Sequence, residues 1–291
     1  MLLSETRLVV FDIESTGVDT ASDRVVEFGA AIRDPGVSEY TRRRVRVNPG
    51  IPIPKGASDV HGIVDATVAD CPQFPELWPR VKAYFEGEGT VVAGYNILAY
   101  DQVLVTAECE RHGLDAGWPW PTLDAMVFVN WKMRGQPRKL TEVCARFGIH
   151  PSRGQAHSAA VDCQMTGELI TAMADKGMIP ADVDEALDEQ ARLRPLVEAE
   201  YQRYGAFLFR CRETSRLRMG AGKHIGMLLS ETPKSYLSFI TSRFTDLAPS
   251  TMLAMKNAMK GDFSDESQET VPGLKVEVPI KPGKDDGDVR R

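Results

Sequence analysis

Arg7-Leu-Val-Val-Phe-Asp12-Ile-Glu14-Ser-Thr-Gly17 is the stretch around which the fold can be read. Its apolar run, rich in β-branched residues, predicts a buried strand, and Ser-Thr-Gly predicts the turn that ends it. Asp12 and Glu14 stand two residues apart, so on a strand both project from one face. Two carboxylates about 5 Å apart repel by roughly 3 kcal/mol at an effective dielectric of about 20. A hard divalent cation, which takes oxygen ligands, would remove that penalty. The other reading is a pair of acids that merely caps a strand end. An acidic-x-acidic triplet arises by chance about once in 50 positions at ordinary composition. The pair therefore gains meaning only if the chain brings further carboxylates to the same place.

The 291 residues suffice for one domain of ordinary size and a smaller one. With 43% hydrophobic and 26% charged residues, the composition is that of a soluble globular protein. No apolar run approaches the ~18 residues that would predict a membrane span. Met1–Arg7 lacks the basic region and apolar core of a secretory leader. Cys71, Cys109, Cys144, Cys163 and Cys211 are scattered and include no C-x-x-C pair. That spacing disfavours zinc and disulfide frameworks and fits a reducing, cytoplasmic setting. The net charge of −6 argues against a generally basic nucleic-acid coat. It leaves room for an acidic metal site beside local basic patches that hold phosphates.

Along the chain, Asp23–Arg33 and Tyr40–Val47 read as second and third strands joined by the Asp34-Pro-Gly36 turn, an antiparallel start to a mixed sheet. Arg42, Arg43 and Arg44 suit a solvated sheet edge, with phosphate contact as the alternative. A proline-stiffened connector, Asn48–Pro54, leads to Val60-His61-Gly62-Ile63. Helical patterning covers Phe74–Phe85, and Thr90–Asn96 reads as a short strand. Asp101 opens the helix that follows, where a carboxylate serves equally as a cap favoured by the helix dipole. Helices are predicted over Thr122–Trp131, over Leu140–Phe147 with Gly148 closing it, and from Ser158, a natural N-cap, to Ile170. The alternation predicts an α/β domain. On one continuous helix His157 and Asp162 would lie about 140° apart. With Ser158 as the cap, His157 falls on the preceding loop and both side chains can serve one site.

From Ile179 the composition shifts. A charged linking helix runs to Tyr204, with Pro195 as a candidate kink. A hairpin (Gly205–Met219), a glycine-rich turn (Gly220–Gly226) and two helices (Pro233–Phe244, Pro249–Lys260) follow. The turn lacks the Gly-Lys-Ser/Thr ending of a phosphate loop. Arg203, Arg210, Arg212, Arg216, Arg218 and Lys223 are interleaved with Tyr204, Phe207 and Phe209 and face one acid, Glu213. That pattern suits either a nucleic-acid contact or a solubilising hairpin face. The expected division is a domain over 1–178, a helical linker over 179–203, a small α+β module over 204–261 and a disordered tail over 262–291.

Phe11-Asp12-Ile-Glu14-Ser-Thr-Gly17, Gly94-Tyr-Asn96-Ile-Leu-Ala-Tyr100-Asp101 and His157-Ser-Ala-Ala-Val-Asp162 together resemble, in order and spacing, the three motifs of the DEDDh (DnaQ-like) 3′→5′ exonucleases. The resemblance covers roughly residues 5–175. It departs in the four-residue spacer between Asn96 and Asp101, where many bacterial members have three. It implies a ribonuclease-H-like fold, a mixed five-stranded sheet flanked by helices. It also implies two divalent ions, Mg²⁺ or Mn²⁺, held by Asp12, Glu14, Asp101 and Asp162, with His157 as general base. Ser15, Thr16, Gly17, His61 and Asn96 are the implied contacts to the terminal nucleotide, and for His61 a structural role in its turn is the alternative. The expected substrate is the 3′ end of nucleic acid, with DNA favoured and RNA possible. A stand-alone nuclease is expected ahead of a polymerase proofreading subunit, and a repair or polymerase partner stays possible. A catalytically inactive nucleic-acid-binding scaffold is the remaining alternative. The stretch from Gly222 to Leu237 resembles a small uncharacterised module attached to such nucleases.

Overall fold

The computed structural model describes residues 1–115, 117–151, 158–211 and 214–263. Its main sheet has five strands: β1 (Arg7–Ser15), β2 (Val25–Arg33), β3 (Thr41–Arg46), β4 (Thr90–Gly94) and β5 (Thr122–Asp124). Their order is β3-β2-β1-β4-β5, with the first three antiparallel and β1, β4 and β5 parallel. This is the expected mixed sheet, with β1 at its centre. The helices of this body are α1 (Lys55–His61), α2 (Asp65–Val68), α3 (Phe74–Lys82), α4 (Asp101–Arg111), α5 (Ala125–Lys132), α6 (Leu140–Arg146), α7 (Ala159–Asp175) and α8 (Val183–Tyr204).

The apolar run of β1 reflects a strand covered on both faces. Leu8 and Val10 enter a core shared with α5, α6, α7 and the first half of α8. Val9, Phe11 and Ile13 enter a second core with α3 and α4, where Phe11 packs on Phe28 and Phe85. Asp12 and Glu14 continue the Leu8/Val10 face, so they point toward the α7 side. The edge strand β3 exposes Arg42, Arg43 and Arg44, the placement that discourages edge-to-edge pairing.

Two sequence expectations change. The helix predicted over Thr122–Trp131 divides into strand β5 and helix α5, because three residues are too few to show a period of two. Ser158 occupies the N-cap position of α7 in extended conformation, but its hydroxyl makes no capping bond. Its carbonyl instead accepts from the N–H groups of Val161 and Asp162.

Helix α8 runs through Pro195 and belongs to two cores. Val183, Ala186 and Leu193 complete the core above α5, while Tyr204 enters the core of the C-terminal module. That module consists of β6 (Leu208–Arg210), β7 (Leu217–Met219), α9 (Lys234–Arg243) and α10 (Pro249–Lys260). Besides α8, contacts around Arg134 and Gly135 join it to the body that carries the main sheet. The Arg134 guanidinium pairs with the Glu200 carboxylate, lies 4.6 Å over the Trp131 ring and donates to the Arg210 carbonyl. Gly135 adopts φ +71°, and a Cβ there would lie 2.6 Å from the Phe209 ring. Only glycine fits such a contact. Among the described residues no helix is long and apolar enough to cross a membrane.

Candidate active site

The site forms where β1 outruns β4. The parallel pairing ends at Val10 with Ala93, so the Ile13 N–H meets no strand neighbour on that side. Asp101 fills the gap, with its Oδ1 accepting from Ile13 N at 3.0 Å and its carboxylate buried at 4% exposure. The longer spacer before Asp101 is absorbed locally. Asn96 takes φ +74°, and Gln102 N donates to Ile97 O in a wide, π-type turn. Helix α4 then starts at Asp101, and the extra residue leaves this acid on the end of β1.

Asp162 arrives by a different device. Gly29 stands opposite Asp12 in the β1–β2 register. A Cβ on Gly29 would lie 2.5 Å from Ala159 C and Cβ and 2.6 Å from Ala160 N. The missing side chain lets the first turn of α7 rest directly on β2 beside Asp12. A glycine inside a strand signals such close backbone approach, and Gly29 carries that signal in the sequence.

The four acids act on one another electrostatically. Burial, then Asp101, Glu14, Asp162 and Glu27, hold the Asp12 carboxyl well above the usual range. Burial, then Glu27, Asp162 and Asp101, push Glu14 up to about 7. Burial also raises Asp101 to about 7, against the lowering effect of its bond to Ile13. Glu27 is a residue that the sequence reading missed. It faces Glu14 across the ladder, is 3% exposed, and pairs with Arg46 at 3.3 Å and Arg44 at 3.8 Å. The adjoining Cys163 thiol is pushed well up by burial and by Asp12, Asp101 and Asp162, so it stays protonated and offers no nucleophile.

Oxygen-only donors carrying mutually unfavourable charge match Mg²⁺ or Mn²⁺ in chemistry. Among the described residues no three His, Cys, Asp or Glu side chains are already drawn together as a metal cage. The fit therefore rests on donor type and on the concentration of charge at Asp12. His157 lies outside the described residues.

The proposed substrate contacts separate into two kinds. His61 Nδ1 accepts from Ile63 N at 3.0 Å, which places the ring proton on Nε2, 3.1 Å from the Ser15 carbonyl. Both ring nitrogens are thus engaged, and burial lowers the imidazole pKa. The hydroxyl of Ser15 contacts the Tyr100 hydroxyl at 2.5 Å and donates to Gly17 O. Thr16 donates its hydroxyl to Asp23 and its N–H to Arg24 O. These bonds shape the loop after β1 from within. Asn96 differs, being exposed at its side chain. Its N–H donates to Asp124 Oδ1 at 2.8 Å, and the Asp124 N–H in turn donates to Gln190 Oε1 at 2.6 Å.

Fold and site together define a class: a ribonuclease-H-like α/β domain with Asp12 and Glu14 on its central strand and with Asp101 and Asp162, from two helices, within electrostatic reach of them. The family described as "Exonuclease" (RNase_T) matches residues 9–170. The chain belongs to this exonuclease family, the DnaQ-like one. The DNA polymerase III subunit epsilon of Escherichia coli K12 is 26% identical over 184 residues, covering 58% of this chain and 71% of that protein. The PolC-type DNA polymerase III of Bacillus cereus is 28% identical over 174 residues, covering 59% of this chain. The chain spans only 12% of that much longer polymerase. E. coli exonuclease I in complex with a dA16 oligonucleotide shares the fold at a TM-score of 0.51 and 17% identity. That likeness covers 58% of this chain and 41% of the other.

Proposed function

We propose that this protein is a metal-dependent 3′→5′ exonuclease that hydrolyses the terminal phosphodiester of DNA and releases nucleoside 5′-monophosphates as a stand-alone enzyme. The observation that carries the reading is the convergence of Asp101, Glu14 and Asp162 on the charge of Asp12. Asp12, Glu14 and Asp162 would hold one divalent ion, and Asp12 and Asp101 a second. Two ions so held supply positive charge to the attacking and leaving oxygens of an in-line displacement. Asp101 keeps its position through the Ile13 N–H, which donates to its Oδ1. His157 takes the proton of the attacking water, a contribution of about 10²–10⁴-fold. The Ser15–Gly17 loop, braced by His61 and Tyr100, and the exposed Asn96 would hold the terminal nucleotide. The preference for DNA rests on relatives named as DNA polymerase III subunits.

The test is digestion of end-labelled DNA and RNA, single- and double-stranded, with Mg²⁺, Mn²⁺ or EDTA. Metal-dependent loss of mononucleotides from the 3′ end is expected, and RNA cleaved in preference to DNA would reassign the substrate. Activity that survived Asp12→Ala would overturn the mechanism. His157→Ala should retain metal binding by calorimetry yet turn over on the order of 10²-fold more slowly; an equal rate would remove His157 from the base role. The epsilon relatives favour proofreading as the second reading. It requires a stable complex with a polymerase subunit, which gel filtration of the mixed proteins would detect.

A further inference from the structure

Among the described residues, Arg210, Arg216 and Arg218 of the hairpin are engaged within the module. Arg210 is buried and donates to Ser215 O at 2.6 Å and to the Tyr204 hydroxyl at 3.0 Å. Arg216 donates to Ser230 Oγ and Arg218 to Gly226 O. These guanidinium groups hold the module together. Available charge lies instead in a cleft of about 690 Å³ between the module and the nuclease body.

Asn96 and Ala99, from the segment that leads into Asp101, are among the cleft's lining residues. Its apolar wall includes Val197, Leu208 and Phe209, with Tyr201 at 57% exposure beside them. The acids in its lining are already matched: Glu200 pairs with Arg134, and Glu198 with Arg194 at 2.7 Å. Arg138 donates to the neutral Asn130 oxygen at 3.2 Å. Lys139 is exposed, and among the described residues neither cation has a carboxylate partner. Tyr95, next to Asn96, donates to the Arg138 carbonyl, which ties this cationic wall to the active-site segment. The Arg134–Glu200 pair and the Gly135–Phe209 contact, both between lining residues, join the two sides of the cleft.

A cleft lined by two cations without a carboxylate partner among the described residues, by apolar side chains and by an exposed aromatic ring suits a polyanion whose flat apolar groups are unpaired. We infer that this cleft binds the single-stranded polynucleotide upstream of its 3′ end, with phosphates on Arg138 and Lys139 and bases against Tyr201 and the Leu208–Phe209 wall. This inference rests on the reading of the carboxylate site as a nuclease. Base stacking on aromatic side chains and phosphate contact by lysine or arginine are the two elements of sequence-tolerant single-strand binding. The C-terminal module then makes the enzyme sensitive to strand length.

The test uses the full chain in EDTA, where binding is read without cleavage, by fluorescence anisotropy with labelled dT2, dT12 and U12. Tyr201→Ala and Lys139→Glu alter exposed side chains, and thermal unfolding verifies that each variant folds. Each should weaken dT12 binding five- to tenfold or more and dT2 binding less than twofold. Lys139→Glu should also lower the salt dependence of dT12 affinity by about one to two in log–log slope. Unchanged dT12 affinity in both variants would overturn the proposal. So would an equal loss on dT2, since the residues would then act on the terminal nucleotide alone. A parallel loss on U12 supports a single-strand track common to both sugars, and loss on dT12 alone supports one restricted to DNA. Mg²⁺-dependent cleavage of the same dT12 by the unaltered protein is scored separately. A chain that binds in this length-dependent way without cutting defeats the nuclease reading, whereas one that cuts with no effect of either variant defeats the cleft.

Discussion

Replacing Glu14 by glutamine removes one charge from the cluster while keeping the side-chain shape, and its effect on stability should depend on pH. Glu14 ionises at the ordinary value of 4.5 in the unfolded chain and at about 7 in the fold. A carboxyl whose folded pKa is raised contributes stability that is full below the unfolded value and is lost as pH rises through the folded value. The window therefore runs from about 4.5 to about 7. By pH 5.5 part of the loss has already occurred. At about 1.36 kcal/mol per pH unit the whole window amounts to roughly 3 kcal/mol by pH 8.5, and partial solvent access at Glu14 trims this to about 1–2 kcal/mol. At about 2–4 °C per kcal/mol for a protein of this size, the metal-free Glu14→Gln protein should melt about 3–6 °C above the unaltered one at pH 8.5. The gap should narrow as the pH falls and close below about 4.5, where Glu14 is protonated in both the folded and the unfolded chain. Thermal unfolding in EDTA followed by circular dichroism measures this. Added Mg²⁺ should reverse the order at pH 8.5, because binding to the fold raises stability by mass action and the variant lacks one ligand. Parallel pH profiles for the two proteins in EDTA would refute the placement of Glu14 among buried like charges.

Two further outcomes test how the cluster is held. Gly29→Val forces a side chain into the backbone of Ala159 and Ala160. It should cost about 1–3 kcal/mol of stability and, by displacing Asp162, lower kcat on the order of 10²-fold, read by melting and by single-turnover cleavage. Gln190→Leu removes both bonds that α8 makes to the β5 backbone, from Asp124 N at 2.6 Å and to Thr122 O at 2.8 Å. Leaving those groups buried and unpaired should cost about 2–4 kcal/mol, measured by urea unfolding, and a loss under 1 kcal/mol would make the staple redundant.

The parts legible in the sequence are those with a local signature. The β1 run, the helix opening at Asp101 and the helix that carries Asp162 follow from patterning. The DEDDh motifs added the metal-site expectation. What stayed hidden depends on register and approach. Glu27 meets Glu14 only because the β1–β2 ladder places them opposite each other, a pairing that no spacing within one strand reveals. Strand β5 is three residues long and takes its definition from Val92–Gly94 alongside it. The hairpin arginines suggested a basic surface by composition, but composition does not tell which guanidinium faces inward.

The acids are held by contacts independent of any ion. Asp101 is pinned by a backbone N–H of β1, Asp162 by the contact of α7 with Gly29, and Glu14 by its place in the ladder beside a Glu27 that two arginines pair with. Each device lies in a region fixed for other reasons: a strand pairing, a helix–sheet contact, an edge ion pair. Mutual repulsion would otherwise let the carboxylates swing apart, and here it is opposed by two covered faces of β1. Like charge maintained by the surrounding fold is what a site built for a multiply charged ligand requires, since the energy is released when the ligand binds. Glu27 illustrates the division of labour: it still acts on the Glu14 carboxyl, while Arg44 and Arg46 pair with its own carboxylate on the β3 side and offset only part of its charge.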